Sequence, residues 1–217
     1  MLAQRLKDTY FSFIYIFTKI TFPFLKLYYR NKANLEIHLG CGQIHLDGFI
    51  NIDGNINSKK DLLLDMRAGL PFQNESVKFL YSSNTFEHFY LDELGFILRE
   101  CYRVLSVAGI LRIVVPDLEM GVHHYIKKDF DFFSGFPENF SSIGGKLANF
   151  IFCSGQHKVA FDFSFLKELL LKVGFREENI KKISYGQSVY LNAPTLNKLN
   201  FIEASIAKGD LFVEAIK

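Results

Sequence analysis

Four short stretches of the 217-residue chain carry residue types whose spacing could do chemistry. The first is Ile37-His38-Leu39-Gly40-Cys41-Gly42, a β-like run that ends in two glycines. Without a Cβ in the way the backbone there can turn sharply, and a ligand can approach the peptide closely. The second is Asp53, which closes the run FINID. An acid at a strand tip can accept charge-assisted hydrogen bonds from both vicinal hydroxyls of a ribose, or it can simply cap a turn before Gly54. The third is Asp65-Met66 followed by Leu70-Pro71-Phe72, an acceptor for an adenine amino group beside apolar cover. The fourth is SSNTFEH, which places Asn84, Glu87 and His88 just beyond another β-like run. Polar residues gathered at neighbouring strand ends are what open α/β sheets use to bind ligands.

The same residues exclude other chemistries. A dinucleotide fingerprint needs a third glycine where this chain has His45, and the G-K-[ST] of a phosphate loop does not follow. Candidate acid–base groups are His88, next to the ligand-binding edge, and Asp117, directly after Pro116. Each has a structural alternative: His88 could hold the following helix in place, and Asp117 could cap a helix starting at Leu118. His123, His124 and His157 surround an irregular stretch where an acceptor pocket could form, with structural or solvated roles as the alternative. His123 and His124 are adjacent and so diverge on a helix, and no metal site is expected. Cys41, Cys101 and Cys153 are far apart without a CxxC pair, which excludes a zinc ribbon, argues against a disulfide framework and points to a reducing cytoplasm. Cys41 reads as a small residue at a crowded turn rather than a nucleophile.

These residues must be positioned by a single domain. The length suits one α/β core, apolar residues make up 49% and charged residues 22%, and a net charge of +2 gives no clustered basic face for nucleic acid. From Asn34 onward β-like runs alternate with helical patterns, the signature of a mostly parallel sheet flanked by helices. The expected strands are Leu35–Leu39, Phe49–Asp53, Asp61–Asp65, Val77–Ser82, Ile110–Val115, Asn179–Tyr185 and Leu211–Ile216. A helix over Leu91–Leu105 should bury Leu91, Leu94, Leu98, Tyr102 and Leu105, and a second over Ser164–Val173 should be closed by Gly174. Residues 117–160 read as an irregular insertion, with Gly135, Pro137, Gly144 and Gly145 breaking it into short pieces.

Residues 1–33 form an extension of different texture. The uncharged run Thr9–Thr18 is about half the roughly 20 residues that span a bilayer, and no small-residue cleavage site follows it. Arg5, Ser12, Lys19 and Lys26 recur every seven residues along one stripe of a helix whose other face is wide and aromatic, while Pro23 predicts a kink or a break. Such a helix could lie in a membrane surface, or pack on its own domain or on a second copy in a homodimer.

Taken in order, HLGCGQIHLDGFINID, DLLLDMRAGLPFQNESVKFLYSSNTFEHF and ECYRVLSVAGILRIVVPDLE resemble the class I methyltransferases that use S-adenosylmethionine. More narrowly they resemble a bacterial branch associated with surface-polysaccharide biosynthesis. The likeness runs from about Leu35 to Glu119 and returns weakly in GQHKVAFDFSFLKELLLKVGF, YGQSVYLNAPTL and LFVEAIK. It implies a Rossmann-like, seven-stranded, mostly parallel sheet with helices on both faces and an antiparallel last strand. It implies that Gly40, Cys41 and Gly42 approach the methionine part of the cofactor, that Asp53 takes the ribose hydroxyls, that Asp65 and Met66 flank adenine, and that Asn84 contacts the ligand. Glu87 and His88 stand at the family's E-H pair. Two departures stand out: only Cys41–Gly48 is available for the helix usual between the first two strands, and SVAGI replaces a K-P-G-G turn. The resemblance implies methyl transfer to a hydroxyl of a saccharide or glycan precursor by a cytoplasmic enzyme, held on the inner face of the membrane if the extension docks there. A small metabolite or lipid acceptor and a non-catalytic binding module are the alternatives.

Overall fold

The computed structural model describes residues 2–134, 140–204 and 208–217. Gly135 and Pro137, and the side chain of Arg5, lie outside the described residues.

Seven strands form one sheet: β1 (Leu35–Leu39), β2 (Ile50–Asp53), β3 (Leu62–Leu63), β4 (Val77–Ser83), β5 (Leu105–Pro116), β6 (Ile180–Ile183) and β7 (Asp210–Ile216). Their order is β3-β2-β1-β4-β5-β7-β6, with β1 to β5 parallel and β7 antiparallel to both of its neighbours. This is the Rossmann-like arrangement expected, including the antiparallel last strand. β3 is shorter than its apolar run, whereas β5 begins directly after the preceding helix, five residues before Ile110.

The helices are α1 (Leu2–Tyr29), α2 (Leu91–Val104), α3 (Leu118–Ile126), α4 (Ile143–Phe152), α5 (Phe163–Lys172) and α6 (Ala193–Glu203). One face of the sheet buries Ile37, Leu39 and Ile52 against α2, α5 and the end of α1. α2 does so with Leu94, Ile97, Leu98, Cys101 and Val104, while Leu91 is exposed, so its buried stripe lies about one residue round from the one expected. On the other face Phe79, Tyr81, Val114 and Phe212 pack under Leu199 and Ile202 of α6. α6 escapes a reading by apolar period because its apolar side is weak, although Asn192 as N-cap and Pro194 in the first turn mark its start. The insertion contains α3 and α4 packed on one another, with Phe132, Phe133 and Phe150 as a small core of their own.

α1 runs unbroken through Pro23 and lies on the domain. Ile14, Thr18 and Tyr29 are buried beneath it, and the Thr18 hydroxyl accepts a hydrogen bond from Asp65 N (3.0 Å). Its outer side remains apolar, with Phe13, Ile20 and Phe24 exposed at 68%, 66% and 72%.

Two buried polar constructions hold the sheet. Arg112 on β5 is fully buried between Glu214 on β7 (2.7 Å) and Glu203 on α6 (2.7 Å), which ties two neighbouring strands to one helix. Asn51 on β2 replaces the missing crossover helix. Its amide nitrogen donates to Leu46 O, Phe49 O and Asp61, and its oxygen accepts from Leu46 N, so the run of turns between β1 and β2 is stapled to the strand it enters. Removing that side chain would strand the Leu46 amide and two carbonyls inside the core. Asn51→Ala is therefore expected to lower stability by about 2–4 kcal/mol, read as a lower urea midpoint at unchanged slope.

Candidate cofactor site and adjoining acid–histidine cluster

The parallel strands β1, β2 and β4 end on one edge, and the turn after β1 is built around two glycines with positive φ: Gly40 at 68° and Gly42 at 52°. The amides of Gly40 and Cys41 both donate to Ile52 O (2.8 and 3.0 Å), and Gly42 N donates to Asp53 Oδ2 (2.7 Å). A Cβ on Gly40 would fall 2.1 Å from the Thr85 hydroxyl, so the end of β4 packs into the space the missing side chain leaves. A Cβ on Gly42 would meet nothing within 4 Å: the peptide faces open space beside the Asp53 carboxylate. The second oxygen of that carboxylate accepts from Asn55 N (2.6 Å). Each oxygen keeps acceptor capacity after one backbone bond. Bared backbone next to a half-exposed carboxylate fits an adenosine-type ligand with its ribose on Asp53.

The other residues expected here are less alike. Cys41 is buried, and burial together with Asp53 pushes its thiol up to about 11, which suits a packing role. Asp65 follows β3 on the same edge, but its oxygens are held by Arg67 Nη2 (2.6 Å) and Nε and by Arg67 N (3.0 Å), so an adenine would have to share it. Met66 is buried in the main core. Asn84 takes φ 47° after β4, exposed above Val114, whose carbonyl accepts its amide (2.9 Å).

Along this edge runs α1. The Tyr10 hydroxyl donates to Gly54 O (3.1 Å) and accepts from Ile56 N (2.7 Å), and Arg67 Nη2 reaches Phe11 O (3.3 Å). The helix thus forms a wall of the site beyond Asp53, a role its sequence pattern does not disclose.

Beyond β4 a 3-10 turn, Phe86–His88, brings Glu87 and His88 to His157, which follows α4. Glu87 is 1% exposed, and both of its oxygens are unbonded among the described residues. Burial pushes its carboxyl up to about 8, helped by Asp210. His157 is held down to about 4 by burial and by His88, and His88 itself is lowered, chiefly by desolvation in the crevice even though its ring reaches solvent. Asp210, at the start of β7, was not foreseen; burial raises it to about 7, while Asn84 opposes the shift. Asp117 caps α3 by accepting from Glu119 N (2.9 Å) and pairs with Lys182 (3.5 Å). His124 stacks on Phe132 and bonds Asp129 (2.8 Å), which leaves it and His123 outside the cluster.

Residues 53–113 match the family model described as a methyltransferase domain, a stretch that opens at Asp53 and ends within β5. The sheet order is the Rossmann-like one of the methyltransferase fold. Among solved structures the chain is similar to a SAM-dependent methyltransferase from Archaeoglobus fulgidus (16% identity, 92% and 94% of the two chains covered, TM-score 0.49). It is also similar to a Thermotoga maritima protein described as a possible histamine N-methyltransferase (14%, 98% and 95%, 0.49). A third is a methyltransferase from Mesorhizobium loti (15%, 91% and 97%, 0.47). No curated protein matches the sequence.

The two glycines separate two effects. Gly42→Ala should cost only the roughly 1–2 kcal/mol of a left-handed alanine while crowding the ligand side. Gly40→Ala should cost about 1–3 kcal/mol more through its collision with Thr85, part of which Thr85→Ala should restore. Denaturant titration of the three variants checks the order.

Proposed function

We propose that the chain transfers a methyl group from S-adenosylmethionine to a hydroxyl of a saccharide or glycan precursor. The observation that carries the cofactor half is the Gly42–Asp53 contact beside open space at the end of β1. The saccharide half rests on the resemblance of the sequence motifs. In this reading Gly40, Cys41 and Gly42 hold the methionine end through backbone, Asp53 takes the ribose, and Asp65, Met66 and Asn84 frame the rest. When bound, the cofactor supplies a methyl group on a sulfonium, an already activated leaving group. The protein then has mainly to align the acceptor and exclude water.

The acceptor enters from the side of the insertion. Its hydroxyl loses its proton at the Glu87–His88–His157 cluster, where His88, the exposed member, heads the candidates for general base. Asp117 contributes by setting the start of α3 rather than by taking the proton. A small metabolite or lipid would use the same groups.

The exposed stripe of α1 is our candidate for peripheral contact with an anionic membrane, which would bring the enzyme to a lipid-linked acceptor at the inner face. Phe13, Ile20 and Phe24 would enter the headgroup layer while Lys19, Lys26 and Arg30 meet phosphates. No helix among the described residues is long and apolar enough to cross a membrane. The same stripe would serve a homodimer equally well in area, but its flanking cations favour an anionic surface.

Calorimetry with S-adenosylmethionine and with its demethylated product tests the cofactor reading. Asp53→Ala should weaken both by about 2 kcal/mol, roughly thirtyfold, because a ribose loses a charged acceptor. Unchanged affinity would place the ribose elsewhere. For the membrane, a Phe13→Ser, Ile20→Ser, Phe24→Ser triple variant should lose cosedimentation with anionic vesicles while its melting temperature holds. Equal binding by wild type and variant would remove that face from the reading.

A further inference from the structure

Glu87 and His88 leave the end of β4, and His157 returns from the insertion nearly seventy residues later; one ligand-capable atom from each lies within 4.8 Å of the others. The sequence offers no metal-ligand spacing here, because the third residue arrives only through folding. We propose that Glu87, His88 and His157 form a site for a divalent transition-metal ion, with zinc the best match to two imidazoles and one carboxylate.

The hydrogen bonds around the two rings carry the argument, and with an ion bound His88 would be a ligand rather than a free base. His88 Nδ1 lies 3.3 Å from Gln156 O, and His157 Nδ1 lies 3.0 Å from Ile151 O. A carbonyl has no proton to give, so each Nδ1 must carry one. That fixes the tautomer and leaves each Nε2 with a lone pair. Metal-binding histidines are anchored in this way, with the far ring nitrogen tied to a carbonyl and the near one turned toward the ion. The His157 Nε2 is 4.0 Å from Glu87 Oε1. His157 Nε2 and Glu87 Oε1 therefore face one another with a ring nitrogen of His88 within 4.8 Å of both, and neither oxygen of Glu87 has a well-formed hydrogen bond among the described residues, only weak approach from the backbone at Thr85 and Glu87. A carboxylate removed from water is costly unless it is paired or coordinates a metal.

Space and access agree with this. Glu87 and His157 line a cavity of about 10 Å³ with Pro116, Leu118 and Ile151, on the scale of a single small body. Atoms bonded at about 2.0–2.2 Å to a common ion sit roughly 3–4 Å apart, so the three groups need to close by about 1 Å. His88 is the exposed member, which gives an entry path and leaves further coordination positions toward solvent. Three protein ligands with an open position is the pattern of zinc sites that act on a bound water or hydroxyl rather than only brace a fold. A hydroxyl on that position would give up its proton to water more readily. The ion would also clamp the insertion to the strand end, where Lys158 N already donates to Glu87 O (2.7 Å). The competing arrangement is a protonated Glu87 sharing its hydrogen with His157, which leaves His88 outside.

The inference stands on these side chains alone and does not require the cofactor reading. The full chain, freed of metal by chelator and desalted, is titrated with Zn²⁺ by calorimetry and with Co²⁺ by visible absorption. One equivalent should bind, with ligand-field bands for Co²⁺ and a higher melting temperature. Glu87→Gln and His88→Gln should each weaken Zn²⁺ at least tenfold. His88 is at the surface, so that variant should fold. Affinity for the demethylated cofactor, measured on the same samples, reports the neighbouring site separately. Absence of stoichiometric binding, or Zn²⁺ affinity unchanged in His88→Gln, would overturn the site. Failure of the cofactor titration with Zn²⁺ binding intact would overturn only the cofactor reading.

Discussion

One missing side chain organises the edge at which β1, β2 and β4 end. Thr85, at the end of β4, occupies the volume a Cβ on Gly40 would need, and the backbone that this close approach allows donates twice to Ile52 at the end of β2. Three strand ends are thereby locked at fixed distances. The next peptide turns again at Gly42 and presents its amide to Asp53. Positive φ at both glycines is what lets the chain leave the sheet within three residues, and the same geometry bares the backbone to a ligand. Asp53 is therefore two things at once: it caps the turn at this edge, and it keeps acceptor capacity beside the open space there.

The buried polar groups explain how so short a connection between parallel strands survives. Crossovers normally need a helix. Here Asn51 supplies from one side chain the donors and acceptors that the turns from Leu46 to Phe49 would otherwise lack, and it points to the face opposite the main core. Further along the same face of the sheet Arg112 satisfies two buried glutamates from different elements. Both constructions cost desolvation that only complete bonding offsets. Both also fix register, since a one-residue slip of β2 or β7 would turn Asn51 or Glu214 into the opposite layer.

α1 joins the two halves of the molecule's chemistry. Its inner residues are core, and its Tyr10–Thr18 segment bonds the loop after Asp53 and the amide of Asp65. The helix belongs to the domain, and whatever docks on its outer face is mechanically linked to the edge of the cofactor site. Arg67, held at once by Asp65, Glu93 and the Phe11 carbonyl, is the joint between them.

What the sequence determined by itself is local. Alternating apolar runs specify strands, G-C-G specifies a sharp turn, and an acid at a run's end specifies a polar strand tip, because each depends on residues that are neighbours in the chain. The parallel sheet, the sharp turn at Gly40 and Gly42 and the place of Asp53 at a strand tip were legible for that reason. The insertion at Asp117 was legible only as irregularity, and α6 was hidden by its weak apolar period. The tertiary structure alone decided that Asp65 is engaged by Arg67, that Asp117 is a cap, that α1 walls the site, and that His157 comes to Glu87 and His88. Those are meetings of groups distant in sequence. No local pattern encodes them, because the free energy that brings them together is spread over the whole core.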